Sequence, residues 1–358
     1  MTHVGDVLIY GANGYTGRLI VEAAVAKGLR PILSGRNAVE VHALAATHGL
    51  AARPAALDDT AALDQALAGC AVVIHCAGPF SRTARPMADA CLRTGTHYLD
   101  ITGEISVFEM MAARSTEAAA AGVMLLPGAG FDVVPSDCLA AFLKSQLPDA
   151  TSLTLAFTGG TGLSRGTATT MIENVSEGGA VRRGGKITRV PSAWRERDID
   201  FGDRVRHAVT IPWGDVSTAW HSTRIPDIEV FTAATSGTVR GMRLTRYIGW
   251  LLATAPMQRW LKARIRAGAA GPSSTQRSHA VARLWGEVRN PSGASVQARL
   301  QTPDGYTLTA LTAVAAAQKV LAGGAIVGYQ TPSLAFGADF ILEIPGTVRT
   351  RIPAASRL

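Results

Sequence analysis

Three glycines within seven residues set the first chemical expectation: Gly11, Gly14 and Gly17 in Gly11-Ala-Asn-Gly-Tyr-Thr-Gly17. An apolar run, Val7-Leu8-Ile9-Tyr10, precedes them and reads as a buried strand. A helical pattern over 18–27, closed by Gly28, follows. Strand, tight turn and helix together form the setting in which a backbone cradles a diphosphate. Gly11 permits the turn, Gly14 lets the backbone approach a pyrophosphate, and Gly17 lets the helix pack close. Asn13, Tyr15 and Thr16 share this turn, and the helix N-terminus offers amide donors and a partial positive charge. A dinucleotide is the expected ligand.

The second strand, 30–36, ends in Ser34-Gly35-Arg36, nineteen residues after Gly17. A carboxylate here would hold a ribose 2′-hydroxyl. A guanidinium instead pairs with a 2′-phosphate and stacks on adenine, so NADP(H) is expected over NAD(H). After a buried run at 71–77 come Ala77, Gly78, Pro79 and Phe80, a rigid turn and a flat ring suited to pinning a nicotinamide. Proton transfer needs an acid near the same crevice. Glu104 and Asp132 are carboxylates on crevice loops, with helix capping as their alternative use. Tyr306 adds a hydroxyl, with packing as its alternative. None of the six tyrosines has a lysine four residues later, which disfavours a Tyr-x-x-x-Lys mechanism. Cys138, near a helix N-terminus that would lower its pKa, leaves a cysteine-dependent acyl reductase as an alternative. A sensor or scaffold that binds NADP without catalysis is another.

The elements that must position these residues alternate from residue 6 to about 147. Strands are expected at 7–10, 30–36, 50–57, 71–77, 97–101 and 122–126, with helices between them and one more at 136–147. Ligands bind outside the carboxyl ends of such strands, so the loops 78–80, 102–104 and 128–136 should line one crevice with the glycine turn. Beyond 150 the pattern becomes one of half-exposed strands, at 151–158, 205–211, 281–287 and 296–301. A helical piece is expected at 169–176, a hairpin at Pro303-Asp304-Gly305 and an alanine-rich helix at 309–321. The expected architecture is α/β, a Rossmann doubly wound parallel sheet over 1–148 completed by 304–358. A second α+β domain, 149–303, for substrate or dimerisation, is inserted before the C-terminal segment.

The 358 residues are 47% apolar and 17% charged, with a net charge of +8, suiting a large core and polyanionic ligands. The basic residues are scattered, which argues against nucleic acid. The four cysteines form no C-x-x-C pair and no zinc spacing, so no metal site is expected. The first strand begins so early that a signal peptide is not expected, and the cytoplasm is the expected compartment. The stretch 244–265 is rich in aromatic and aliphatic residues, yet only twelve residues between Arg246 and Arg259 are free of charge. It is too short to span a bilayer. Two core-packed helices are the favoured reading, and a peripheral membrane contact or a lipid-facing cleft the other. A homodimer is a further expectation.

Taken as a set, several motifs resemble those of the saccharopine dehydrogenase-like family. They are Gly11-Ala-Asn-Gly-Tyr-Thr-Gly17, Ser34-Gly35-Arg36, Cys76-Ala-Gly-Pro-Phe80, His97-Tyr-Leu-Asp-Ile-Thr-Gly-Glu104 and Gly130-Phe-Asp-Val-Val-Pro-Ser-Asp137. Looser matches follow at Gly271-Pro272 with Arg277, Asp304-Gly-Tyr-Thr307 and Thr331-Pro-Ser-Leu-Ala-Phe-Gly337. The branch containing the trans-acting enoyl reductases of lipid biosynthesis is the most similar. The resemblance implies a Rossmann domain, NADP(H), and a second domain carrying the substrate. Hydride transfer to a C=C (enoyl) or C=N bond of a small or lipid-linked substrate is the activity it implies. A dicarboxylic amino-acid substrate would need convergent cations. Arg165, Arg182, Arg183 and Arg224 are candidates, but none stands in a matching motif.

Overall fold

The computed structural model describes residues 6–158, 162, 164–173, 175 and 178–353. The chain divides into two compact units. The first takes the residues up to Val134 together with Tyr306–Phe336, and the second takes Pro135–Gly305 and the residues from Gly337 on.

In the first unit the strands β1 (Asp6–Tyr10), β2 (Ile32–Ser34), β3 (Cys70–His75), β4 (His97–Asp100) and β5 (Met124–Leu126) are joined by a late strand, Gly328–Tyr329. All pair in parallel, in the order Gly328–Tyr329, β5, β4, β3, β1, β2. The strands are short apolar runs because both faces are covered: Leu8, Ile9, Val72, Val73 and Ile74 are wholly buried. From β1 the chain steps first to β2 on one side and then to β3 on the other. That reversal opens a crevice between the carboxyl ends of β1 and β3. Helices α1 (Tyr15–Ala26), α2 (Ala38–His48), α3 (Thr60–Leu67), α4 (Phe80–Thr94), α5 (Ile105–Ala113) and α6 (Ser115–Ala120) connect the strands. Asn37 and Asp59 cap α2 and α3 by accepting the amides of Glu40 and Ala62.

The second unit opens with α7 (Val134–Gln146), most of which belongs to it. Among the described residues its sheet has nine strands, including β6 (Ser152–Phe157), β7 (Gly179–Arg183), β8 (Lys186–Val190), β9 (Glu196–Asp200), β10 (Val205–Thr210) and β11 (Asp227–Ala233). They are followed by β12 (Val281–Arg289), β13 (Ser295–Pro303) and the strand Val348–Ile352. The main path runs Val348–Ile352, β13, β12, β6, β11, β10, β9, with only β6 and β11 parallel; the β7–β8 hairpin joins at β11. Helices α8 (Arg165–Glu173), α9 (Asp215–Thr223), α10 (Ser236–Leu252) and α11 (Ala255–Ala267) belong to this unit.

Several expectations change. The third strand at 50–57 is reduced to a single bridge between Leu33 and Ala52, because Pro54 has no amide with which to continue a ladder. The hairpin lies not at 303–305 but at 290–294, where Asn290 donates to the Ala294 carbonyl and Gly293 adopts φ +86°. Gly305 instead opens the helix Gly305–Lys319. The helix at 136–147 and the end of the tail do not fall with the Rossmann sheet, so the boundaries differ from 1–148, 149–303 and 304–358. Leu139 and Leu143 of α7 pack beneath Gly286 of β12, and Val348–Ile352 pairs with Gln297–Gln301. The predicted helix 169–176 starts earlier, at Arg165, and its positions 174 and 176 lie outside the described residues.

A nucleotide-binding turn and its buried carboxylates

The glycine turn is built by backbone approaching backbone. Gly11 adopts φ +77°, and a Cβ there would lie 2.9 Å from the Ala77 amide nitrogen. A Cβ on Gly17 would lie 2.2 Å from the Gly11 carbonyl oxygen. Gly14 is different: its missing Cβ would meet only the Gly11 oxygen, at 3.3 Å, so its outer side is clear. The Gly14 amide donates to that oxygen at 3.0 Å. No side chain caps α1 at Gly14, so the Thr16 and Gly17 amides at its start are left by helix geometry for an outside acceptor. The cradle fits a diphosphate.

Beyond the turn lie Ser34, Gly35 and Arg36. Ser34 is fully buried; its hydroxyl donates to the Arg53 carbonyl (2.7 Å) and its own carbonyl accepts the amides of Gly11 and Ala12. Its hydroxyl is therefore a latch for the turn and does not face a ligand. Arg36 is exposed at the end of β2, without a hydrogen bond or ion pair among the described residues. Asn13 donates to Glu40 at 2.7 Å, and Glu40 also accepts Asn37 at 2.7 Å. Glu40 thus ties the turn to the start of α2. Sequence reasoning passed over it, although Asn37-x-x-Glu40 is a capping pattern.

At the end of β3 the Cys76 amide donates to the Tyr10 carbonyl (2.8 Å), and the Gly78–Pro79 bond is cis. Ala77, Gly78 and Pro79 reach the surface, but Phe80 does not. Its ring turns into the core and meets His75 edge-on at 5.4 Å. It packs there with Tyr10 and Tyr98 and so is not placed to pin a nicotinamide. Glu104 accepts the amides of Phe80 (2.8 Å) and Ser81 (2.9 Å), one on each oxygen. It caps α4 rather than the helix that follows it. With both oxygens engaged and the residue buried, it positions the loop and is a poor proton donor.

Asp100 performs a similar task between β4 and β5. It accepts the Thr102 amide (2.9 Å), the Gly128 amide (2.8 Å) and the Tyr98 hydroxyl (2.6 Å). Burial pushes its carboxyl up to about 6, against the pull of those donors. Asp132 has no such partners: among the described residues it makes no hydrogen bond or ion pair. Its carboxylate lies over Gly103, where a Cβ would come within 2.7 Å of Oδ2. Burial raises its carboxyl to about 7. Tyr306 starts the helix Gly305–Lys319, and its ring meets Tyr15 of the glycine turn edge-on at 5.2 Å. The Phe131 amide donates to the Thr309 hydroxyl on that helix at 3.0 Å. Turn, loops and late helix thus form one connected surface in the first unit.

Cys138 is removed from the chemistry. It is fully buried within α7, and burial holds its thiol well above the ordinary range, opposite to the lowering that a helix N-terminus would bring. The four arginines are also engaged in the second unit. Arg165 donates to the Gly268 carbonyl, Arg182 to those of Val216 and Gly185, and Arg183 pairs with Glu229. Arg182 and Arg224 both lie over Trp220.

Comparison with known proteins agrees with this geometry. The family model of the saccharopine dehydrogenase NADP binding domain matches residues 7–126. Residues 7–126 are thus similar to a saccharopine dehydrogenase NADP-binding domain. Apo saccharopine dehydrogenase (L-Glu forming) from Saccharomyces cerevisiae superposes over 98% of this chain and 100% of its own, with a TM-score of 0.67 and 14% identity, a likeness of fold alone. A trans-acting enoyl reductase of Mycobacterium leprae is 36% identical over 140 residues, 37% of this chain and 34% of its own. One of Mycobacterium tuberculosis is 32% identical over 145 residues, again 37% and 34%. The chain thus spans about a third of the length of these curated relatives. The matched segment ends at β5, so Asp132 and Tyr306 lie outside it.

Two outcomes follow for the first unit. Gly17→Ala drives a methyl into the Gly11 carbonyl and should cost about 1–3 kcal/mol of stability, read as a lower midpoint in chemical denaturation; an unchanged midpoint would refute the close approach. For Asp132, the folded state holds the proton up to about pH 7, whereas an unfolded aspartate releases it near 3.9. Its contribution to stability is therefore full below about pH 4 and lost as pH rises through about 7. Asp132→Asn should flatten that part of the stability curve, measured by urea unfolding across the range. Parallel curves for variant and parent would show that Asp132 titrates normally.

Proposed function

We propose that this chain is an NADPH-dependent reductase acting on a C=C bond of an enoyl, lipid-linked substrate. The observation that carries the reading is the glycine cradle, in which Gly11 and Gly17 admit no side chain while Gly14 leaves an approach free. The NADP-binding family match supports the cofactor, and the names of the mycobacterial relatives support the enoyl substrate. The engagement of Arg165, Arg182 and Arg183 argues against a dicarboxylic amino acid.

Bound NADPH supplies a hydride. The chain's own residues do the rest. The amides of Thr16 and Gly17 hold the diphosphate, and Arg36 pairs with the 2′-phosphate. Ala77, Gly78 and Pro79 bound the nicotinamide side. Asp132, which keeps its proton close to neutral pH, returns a proton to the reduced substrate, with the Tyr306 hydroxyl as the second candidate donor.

Arg36→Asp should weaken NADPH by ~1–3 kcal/mol, or about 5- to 150-fold, with little change for NADH, as measured by titration calorimetry. Equal affinity of the parent protein for the two cofactors would defeat the assignment of Arg36. NADPH consumption should be seen with enoyl thioesters and not with imines or amino-acid adducts. Turnover of imines alone would replace the C=C reading, and tight binding without turnover of any of them would leave a sensor.

A further inference from the structure

The sequence favoured a core-packed reading of 244–265, and the structure does not bear it out. Tyr247 and Trp250 are 76% and 74% exposed, and Leu244, Leu251 and Trp260 are also exposed. At about 100° per residue, Leu244, Tyr247, Trp250 and Leu251 fall within an arc of about 120° on α10. The face adjoining that arc is the anchored one. Val239 and Met242 pack with Ala193 and Val209, and Arg246 donates to the carbonyls of Ser192 and Ala193. On α11, Gln258 donates to the Ile172 carbonyl and Lys262 pairs with Glu173. The helix pair is thus fixed to its own unit by one side, and its aromatic side is uncovered by any described residue.

The two helices themselves carry charge of one sign, and of their cations Arg243 pairs with Glu196 and Lys262 with Glu173. Helices α10 and α11 carry Arg240, Arg243, Arg246, Arg259, Lys262, Arg264 and Arg266, and no acidic residue occurs between Glu229 and Glu287. Arg240, Arg259 and Arg266 are exposed, without a hydrogen bond or ion pair among the described residues. No described helix is long and apolar enough to cross a membrane. A second copy of the chain would bring like charges together, which disfavours self-association through this face. Exposed Trp and Tyr ringed by cations match the headgroup level of an anionic bilayer, where aromatic rings lodge and each nearby cation is attracted. We propose that α10 and α11 form an interfacial docking surface for a membrane rich in anionic lipid. The proposal stands apart from the reduction chemistry, because none of these residues belongs to the nucleotide site.

The test uses the whole protein in flotation with vesicles of phosphatidylcholine, with and without phosphatidylglycerol. Binding should require the anionic lipid, weaken at high salt, and shift the tryptophan emission to the blue. Tyr247→Ser/Trp250→Ser, and separately Arg240→Glu/Arg259→Glu/Arg266→Glu, should each lower vesicle affinity tenfold or more, with NADPH affinity and melting temperature as in the parent. Equal binding to neutral vesicles, no binding to either, or binding untouched by both variants would overturn the proposal. So would dimerisation through this face in sedimentation, or DNA displacing the protein from anionic vesicles.

Discussion

The first unit rests on one close approach, that of the Gly11 backbone to two neighbours. On one side Gly17 leaves no room between α1 and the Gly11 carbonyl; on the other, Gly11 lies against Ala77 at the end of β3. The Ser34 carbonyl holds the same turn from β2 through the amides of Gly11 and Ala12. Three strand ends are thereby fixed around a turn whose outer side, at Gly14, presents bare backbone. Such a surface suits a polyanion, because amides offer donors without the entropy that a long cationic side chain would lose on binding.

The carboxylates around the crevice divide by how they are satisfied. Glu104 and Asp100 each accept several donors and tie loops together, Glu104 between the loops after β4 and β3, Asp100 between those after β4 and β5. Their negative charge is spent on backbone amides. Asp132 sits among the same loops with no described donor, so desolvation alone acts on it and raises its pKa. A group in that condition can change protonation at little structural cost, which is what a proton donor requires. His75 is another isolated titratable group, but it is sealed among aromatic rings, and burial holds its pKa down to about 3.

The Rossmann sheet was legible because its strands are buried on both faces and so appear as unbroken apolar runs between glycine-bearing turns. The glycine spacing was legible for the same reason: steric demands leave only one residue type. What escaped was whatever depends on partners distant in sequence. Pattern alone places Phe80 at the crevice, but whether its ring turns outward or into the core depends on the space left by His75 and Tyr98. Glu104 reads as a cap for its own helix, and only the parallel register of β3 and β4 brings α4 within reach instead. The exposed face of α10 has a composition that would equally suit a core, and only the lack of a packing element above it among the described residues separates the two. The tail reads as more Rossmann domain because a five-residue strand does not reveal which sheet it will join.

The first unit is assembled from two stretches of chain separated by residues 135–305. Tyr306, the helix that holds Phe131, and the edge strand beside β5 all come from the later stretch. A ribosome therefore makes the glycine turn long before the residues that complete its surroundings. At roughly 5–20 residues per second the wait is about 15–60 s. During that interval β5 is paired on the β4 side alone, and its outer edge stays an unsatisfied row of amides and carbonyls until Gly328–Tyr329 emerges.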